Sequence, residues 1–160
     1  MNTQNRSYAY LVIWIVALLF IGGLIGSLTK TEINTWYLTL SRSPLTPPNY
    51  VFPIAWSLLY AMIACVGWLI WRAQSSSHLR LVKALYLFQL VLNWLWTPLF
   101  FRYHLTGLSL INLLVMDISV AMIIYLCRSN LREVSILLAP YLVWILFATY
   151  LNFYIWQHNF

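Results

Sequence analysis

Arg6 and Lys30 enclose 23 residues without a charge, and Arg42 and Arg72 enclose 29. Lys83 and Arg102 enclose 18, residues 103–127 carry Asp117 alone, and residues 134–160 carry no charge. A helix needs about 20 apolar residues, at about 1.5 Å rise each, to cross a hydrocarbon layer about 30 Å thick. The five gaps therefore predict five transmembrane helices, near residues 8–28, 52–71, 84–102, 107–127 and 134–156, in a single domain covering 1–160. A membrane barrel would alternate with period two over about ten residues, and the run from Leu137 to Phe147 does not.

Composition agrees. The chain is 62% hydrophobic and 8% charged, where soluble domains carry roughly 25% charged residues. A soluble enzyme, a disordered chain and a nucleic-acid binder are all disfavoured, because the net charge of +6 comes from nine cations scattered along the length. Arg6, Arg72, Arg80, Lys83, Arg128 and Arg132 fall on one side of the five-span arrangement, and Lys30, Arg42 and Arg102 on the other. In a bacterial cell membrane the positive-inside rule then predicts a cytoplasmic N-terminus. Cys65 and Cys127 lie within or at the end of spans and make neither a disulfide framework nor a metal pair.

Residues 29–51 are too long for a simple reversal and contain Trp36, Tyr37, Pro44, Pro47 and Pro48. Two readings stand for this loop: a lid over a binding site, or an aromatic anchor at headgroup depth. None of His78, His104 and His158 lies mid-span, so bis-histidine haem ligation is not expected, and no carboxylate cluster offers a metal site. No nucleotide-binding or hydrolase motif appears. Asp117, the one intramembrane ionisable residue, suits a tie between helices better than a proton relay, which would need a chain of titratable groups. Gly22 and Gly26 form a GxxxG pair that could pack closely, Pro140 should kink or begin the fifth span, and Trp68, Trp71, Trp94 and Trp156 fit an interfacial belt.

Polar and aromatic stripes carry more information. Gln89, Asn93, Trp96, Thr97 and Phe100 share one helical face of the third span, as do Tyr141, Trp144, Ala148 and Asn152 on the fifth, and Trp56 and Tyr60 lie one turn apart on the second. Lipid tails offer no hydrogen-bond partner, so these faces should point inward. They could simply bind helix to helix. They could instead wall a pocket with indole and phenol rings, carboxamides orienting a large flat guest and Ala148 leaving it room.

Three segments resemble the TspO/MBR translocator protein family (tryptophan-rich sensory and peripheral-benzodiazepine-receptor-like proteins). They are Trp36-Tyr37 with Ser43–Pro48 and Val51–Tyr60, then Gln89–Phe101, then Pro140–Asn152. The resemblance covers nearly the whole chain. It implies an all-α integral-membrane bundle of five helices with the long first loop as lid, usually homodimeric. It also implies binding of porphyrins and other hydrophobic ligands beneath that loop, with Tyr37, Trp56, Asn93, Trp96, Thr97, Trp144, Ala148 and Asn152 at pocket positions. Tyr60 and Tyr141 join that set from the stripes. Bacterial relatives are credited with light-dependent breakdown of protoporphyrin, for which Trp56 and Trp144 would be the reacting indoles. The chain departs from the family at Leu45, where a tryptophan is common, and lacks a cation after Leu151 and Tyr154, which leaves the sterol-recognition pattern incomplete.

We therefore expect a multi-pass membrane receptor or carrier for tetrapyrroles such as protoporphyrin IX or haem. It would work without metal or cofactor, in contact with lipid and with a second copy of itself, and without nucleic acid. A light-dependent porphyrin-degrading enzyme and a ligand-free membrane scaffold are the alternatives.

Overall fold

The computed structural model describes residues 3–74 and 77–160, with side chains from Tyr8 onward except that of Ser77. The Arg6 side chain, counted in the charge bias, lies outside the described residues. Five long helices dominate: α1 (Thr3–Leu28), α4 (Val51–Arg72), α5 (Ser77–Thr97), α6 (Thr106–Cys127) and α7 (Arg132–Asn159). Two short helices, α2 (Lys30–Asn34) and α3 (Trp36–Thr39), occupy the first loop. Among the described residues there is no strand, and the five long helices all have the length and apolarity to cross a membrane. The chain is an integral, multi-pass membrane protein built as a five-helix bundle.

One boundary differs clearly from those drawn from the charge gaps. The third span begins at Ser77 rather than near residue 84, so Arg80 and Lys83 are helical. A charge gap measures the hydrocarbon-buried part of a helix, and long cationic side chains carry the helix onward while their heads reach the interface. At the other end Pro98 cannot donate a backbone hydrogen bond to the preceding turn, and the helix continues as a π-wound turn over Pro98–Arg102, with the Tyr103 N–H donating to Pro98 O at 3.0 Å. His104, at φ 55°, then reverses the chain. Pro140 lies inside α7 and does not begin it.

The lipid-facing and inward faces separate cleanly. Val12, Val16, Phe20, Ile54, Leu58, Ile118 and Val143 are exposed, which suits lipid and would be an aggregation-prone patch in water. The core collects Ile63, Val66, Leu113, Met116, Val120, Leu138 and Ile145, each almost fully buried. Helix α6 is the most enclosed, and α7 is fastened to it by hydrogen bonds. Ser135 Oγ donates to Ile124 O at 2.9 Å, Asn152 Nδ2 donates to Thr106 O at 2.8 Å, and Thr149 Oγ1 lies 2.7 Å from Asp117 Oδ2. Asp117 thus ties two helices together. Asn112 Nδ2 donates to Leu92 O at 2.9 Å and joins α6 to α5.

Helix α1 sits apart from this zipped core. Leu18 is the one buried side chain described along it, and its main neighbour is α4. The two glycines of its GxxxG pair do different things: a Cβ on Gly22 would strike the Tyr60 ring, whereas one on Gly26 would meet nothing within 4 Å. On α4, a Cβ on Gly67 would lie 2.5 Å from Tyr86 Oη, a hydroxyl already committed to Ile63 O at 2.9 Å. We predict that Gly67→Ala, by overpacking this contact, lowers unfolding stability by about 1–3 kcal/mol. Gly26→Ala should change it by less than about 0.5 kcal/mol. Thermal melts in detergent followed by circular dichroism check this, and equal effects of the two would contradict the packing described.

Candidate functional site

Phe52, Trp56 and Tyr60 recur every four residues on α4, one turn apart, and so share the face turned to α7. From α7 come Tyr141 and Trp144. Trp144 meets Phe52 edge-on at 6.0 Å between centroids, Trp56 meets Tyr141 edge-on at 6.5 Å, and Trp56 leans on Tyr60 at 5.6 Å. These tilted and edge-to-face arrangements are the ones the ring quadrupole favours. Tyr60 and Tyr141 are buried, while Trp56 and Trp144 are half-buried. Ala148 lies one turn beyond Trp144, also half-buried.

Below this seam the phenols and carboxamides bond to one another. Tyr60 Oη donates to Asn93 Oδ1 at 2.6 Å, and Asn93 Nδ2 donates to Tyr141 Oη at 3.0 Å. Tyr141 Oη in turn donates to Gln89 Oε1 at 2.9 Å. The chain joins α4, α5 and α7 at a level where Tyr141 and Gln89 are fully buried. It stops at Gln89 Nε2, which has no hydrogen-bond partner among the described residues.

Asn152 centres a second cluster. Its Oδ1 accepts from Trp96 Nε1 at 3.1 Å and from Ser109 Oγ at 2.8 Å, joining α5, α6 and α7. Trp96 stacks on Phe100 at 5.6 Å, and Phe100 belongs to the π turn. Tyr37, buried in the first loop, packs edge-on against Phe100 and Phe101 at 6.2 and 5.6 Å. The loop therefore reaches Asn152 through one stack of rings. Burial pushes the Tyr37 phenol above its ordinary pKa, and the Arg42 guanidinium, 5.2 Å from the ring centroid, acts against that.

Further contacts hold the loop over this end of the bundle. Asn159 Oδ1 accepts from the Ser41 N–H at 2.8 Å while its Nδ2 reaches Ser41 O at 3.1 Å. Ser43 Oγ and Tyr150 Oη are 2.9 Å apart. Trp36 stacks on His104 at 3.9 Å, and His104 Nε2 lies 3.3 Å from Glu32 Oε2. The proline-rich part of the loop borders an open, shallow hollow of about 450 Å³ lined by Leu40, Arg42, Ser43, Thr46, Pro47, Pro48 and Asn49.

The ten residues singled out in the sequence thus divide into groups. Trp56, Tyr60, Asn93 and Tyr141 form one connected cluster, with Trp144 joined through the same seam and Ala148 beside it. Trp96 and Asn152 form the other, and Tyr37 joins it through Phe100. Thr97 is half-buried at the end of α5 and makes no side-chain cap. None of the helical positions lines the hollow in the proline-rich loop. Sequence reasoning missed Phe52, Ser109 and Phe101. Phe52 was detectable as an aromatic one turn before Trp56, and Ser109 as the start of the polar face that continues through Asn112 on α6.

A model of the TspO/MBR family matches residues 14–157. The chain is 39% identical over 150 residues to the tryptophan-rich protein TspO of Archaeoglobus fulgidus, covering 93% of this chain and 96% of that one. It is 33% identical over 142 residues to the translocator protein of Bos taurus, covering 87% and 84%. It is also 33% identical over 128 residues to the tryptophan-rich sensory protein of Cereibacter sphaeroides, covering 80% and 78%. The chain belongs to the TspO/MBR family.

Proposed function

We propose that this protein is a membrane receptor or carrier for flat hydrophobic ligands of the tetrapyrrole class, protoporphyrin IX or haem among them. The guest would be held between α4, α5 and α7 beneath the first loop. The observation that carries this reading is the aromatic seam. Two half-buried indoles, Trp56 and Trp144, border it above a floor of buried phenols and carboxamides. Simple helix-to-helix adhesion needs small residues and a few amides, and it gives no reason for large rings at a half-covered position on both facing helices. A planar conjugated guest gains from such rings by stacking.

The roles follow from position. Trp56 and Trp144 stack on the guest, Ala148 sets the room beside Trp144, and Tyr37 closes the top. Asn93 and Asn152 are already bonded to Tyr60, Tyr141, Trp96 and Ser109. They act first by fixing the ring walls, and they reach a guest by exchanging one of those partners. Tyr60, Tyr141, Trp96 and Thr97 complete the lining. The charge bias supports a cytoplasmic N-terminus in a bacterial cell membrane, and the family relationship supports a homodimer.

Protoporphyrin IX titrated into the detergent-solubilised protein should quench tryptophan fluorescence saturably. Trp56→Phe and Trp144→Phe should each weaken the apparent affinity about three- to tenfold, the worth of one ring pair. The same ligand should raise the melting temperature, because a ligand that binds the folded state stabilises it by mass action. Quenching that stays linear up to the solubility limit and is the same in both variants would contradict the assignment. Asn159→Ala should unfasten the first loop. Faster tryptic cleavage at the exposed Arg42 and faster porphyrin exchange are expected, with little change in melting temperature because those contacts are mostly exposed. Unchanged cleavage and exchange would show that the loop is no lid.

A further inference from the structure

A second feature lies at the opposite end of the bundle and shares no residue with the site above. There α1, α4 and α5 leave an apolar groove of about 570 Å³, with Trp14, Trp68, Trp71 and Trp94 among its lining residues and Arg72 at its edge. On α1 it extends from Tyr10 to Leu18, about 12 Å at 1.5 Å per residue. The sequence placed Trp68, Trp71 and Trp94 in a general interfacial belt. The structure brings them to one groove.

The walls are held in place. Trp14 Nε1 donates to Tyr86 Oη at 3.2 Å, and that hydroxyl donates to Ile63 O at 2.9 Å. Trp14 and Trp71 pack at 5.2 Å, and Trp71 meets Tyr86 edge-on at 5.6 Å. The bare backbone of Gly67 lets Tyr86 and Trp14 approach α4 so closely.

Two cations without a counter-charge lie beside the groove, Arg72 among its lining residues and Lys83 near the wall ring Trp71. The Arg72 guanidinium lies over the Trp68 ring at 4.3 Å, and the Lys83 ammonium lies 5.6 Å from the Trp71 centroid. The chain's three acidic residues are Glu32, Asp117 and Glu133. The one ion pair among the described residues joins Glu32 to His104 at the far end, so neither cation has a carboxylate. In the up-and-down order of the spans, this is also the end that carries Arg80, Arg128 and Arg132.

From the groove's length, its apolar lining and the unpaired cations beside it, we infer that it is a binding site for an anionic phospholipid. One acyl chain lies against Trp14, Leu18 and Leu90, and the phosphate rests on Arg72 and Lys83. Basic side chains at a membrane surface attract anionic headgroups, and the slight contact of α1 with α5 leaves the groove open to lipid from the side.

The test uses the full chain reconstituted in phosphatidylcholine vesicles containing 10 mol% of dibrominated phosphatidylglycerol or of dibrominated phosphatidylcholine, with bromine quenching tryptophan fluorescence on contact. Brominated phosphatidylglycerol should quench at least about threefold more strongly at equal content. The double variant Arg72→Gln/Lys83→Gln should abolish that preference, whereas Arg128→Gln, which removes a cation at the same end but outside the groove, should preserve it. Ala17→Phe, which keeps every charge and fills the groove, should reduce quenching by both lipids. Equal quenching by the two lipids in the unaltered protein would overturn the proposal. So would a phosphatidylglycerol preference that survives the double variant. If Ala17→Phe leaves quenching unchanged and converts a dimer to a monomer in light scattering, the groove belongs to a second copy of the chain, and the lipid site is likewise refuted.

Discussion

Inside hydrocarbon, an N–H or hydroxyl without a protein partner has no water to turn to. That constraint organises this molecule. It sends Gln89 and Asn93 on α5, Ser109, Asn112 and Asp117 on α6, and Asn152 on α7 into the bundle interior, and it leaves many Val, Ile, Leu and Phe side chains facing lipid. The phenols of Tyr60 and Tyr141 sit where Asn93 uses both its donor and its acceptor and Gln89 uses its acceptor. Once those bonds are made, the angular placement of α4, α5 and α7 is set, and the positions of Trp56 and Trp144 follow from helical spacing.

The same constraint explains what could be read from the chain alone. Charges are costly deep in the membrane, so gaps with at most one charge located all five long helices. Amides at helical spacing announced which faces turn inward. The start of α5 was not legible, because Arg80 and Lys83 tolerate a helical backbone as long as their heads reach the interface. The two short helices of the first loop have five and four residues, too few to show a period. Nor could spacing tell which carboxamide meets which phenol. Asn93 pairs with Tyr60 and Tyr141 while Asn152 pairs with Trp96 and Ser109, and that choice depends on how four helices pack. The grouping of Trp14, Trp68, Trp71 and Trp94 was hidden for the same reason: they come from three helices and look like separate interfacial residues in sequence.

The two ends of the bundle differ in their chemistry. At one end a polar, ring-lined seam lies under a loop fastened by Asn159, Ser43 and the Trp36–His104 stack. At the other, two cations lie beside an apolar groove next to α1, the helix least bound to the rest. A guest that is flat and aromatic suits the first end, and an amphiphile with a negative head suits the second. Gly67 and Tyr86 connect these regions structurally, since both lie on the two helices, α4 and α5, that serve seam and groove alike.

The central claim is that the α4–α7 seam, rather than the lipid-facing wall, receives a planar aromatic guest. Photo-crosslinking with a diazirine-bearing protoporphyrin, followed by mass mapping of the labelled peptides, tests it most directly. Label on the segments around Trp56 and Trp144, suppressed by excess unmodified porphyrin, is the outcome this account requires. Label spread over the exposed faces of α1 and α6, and indifferent to competitor, would contradict it.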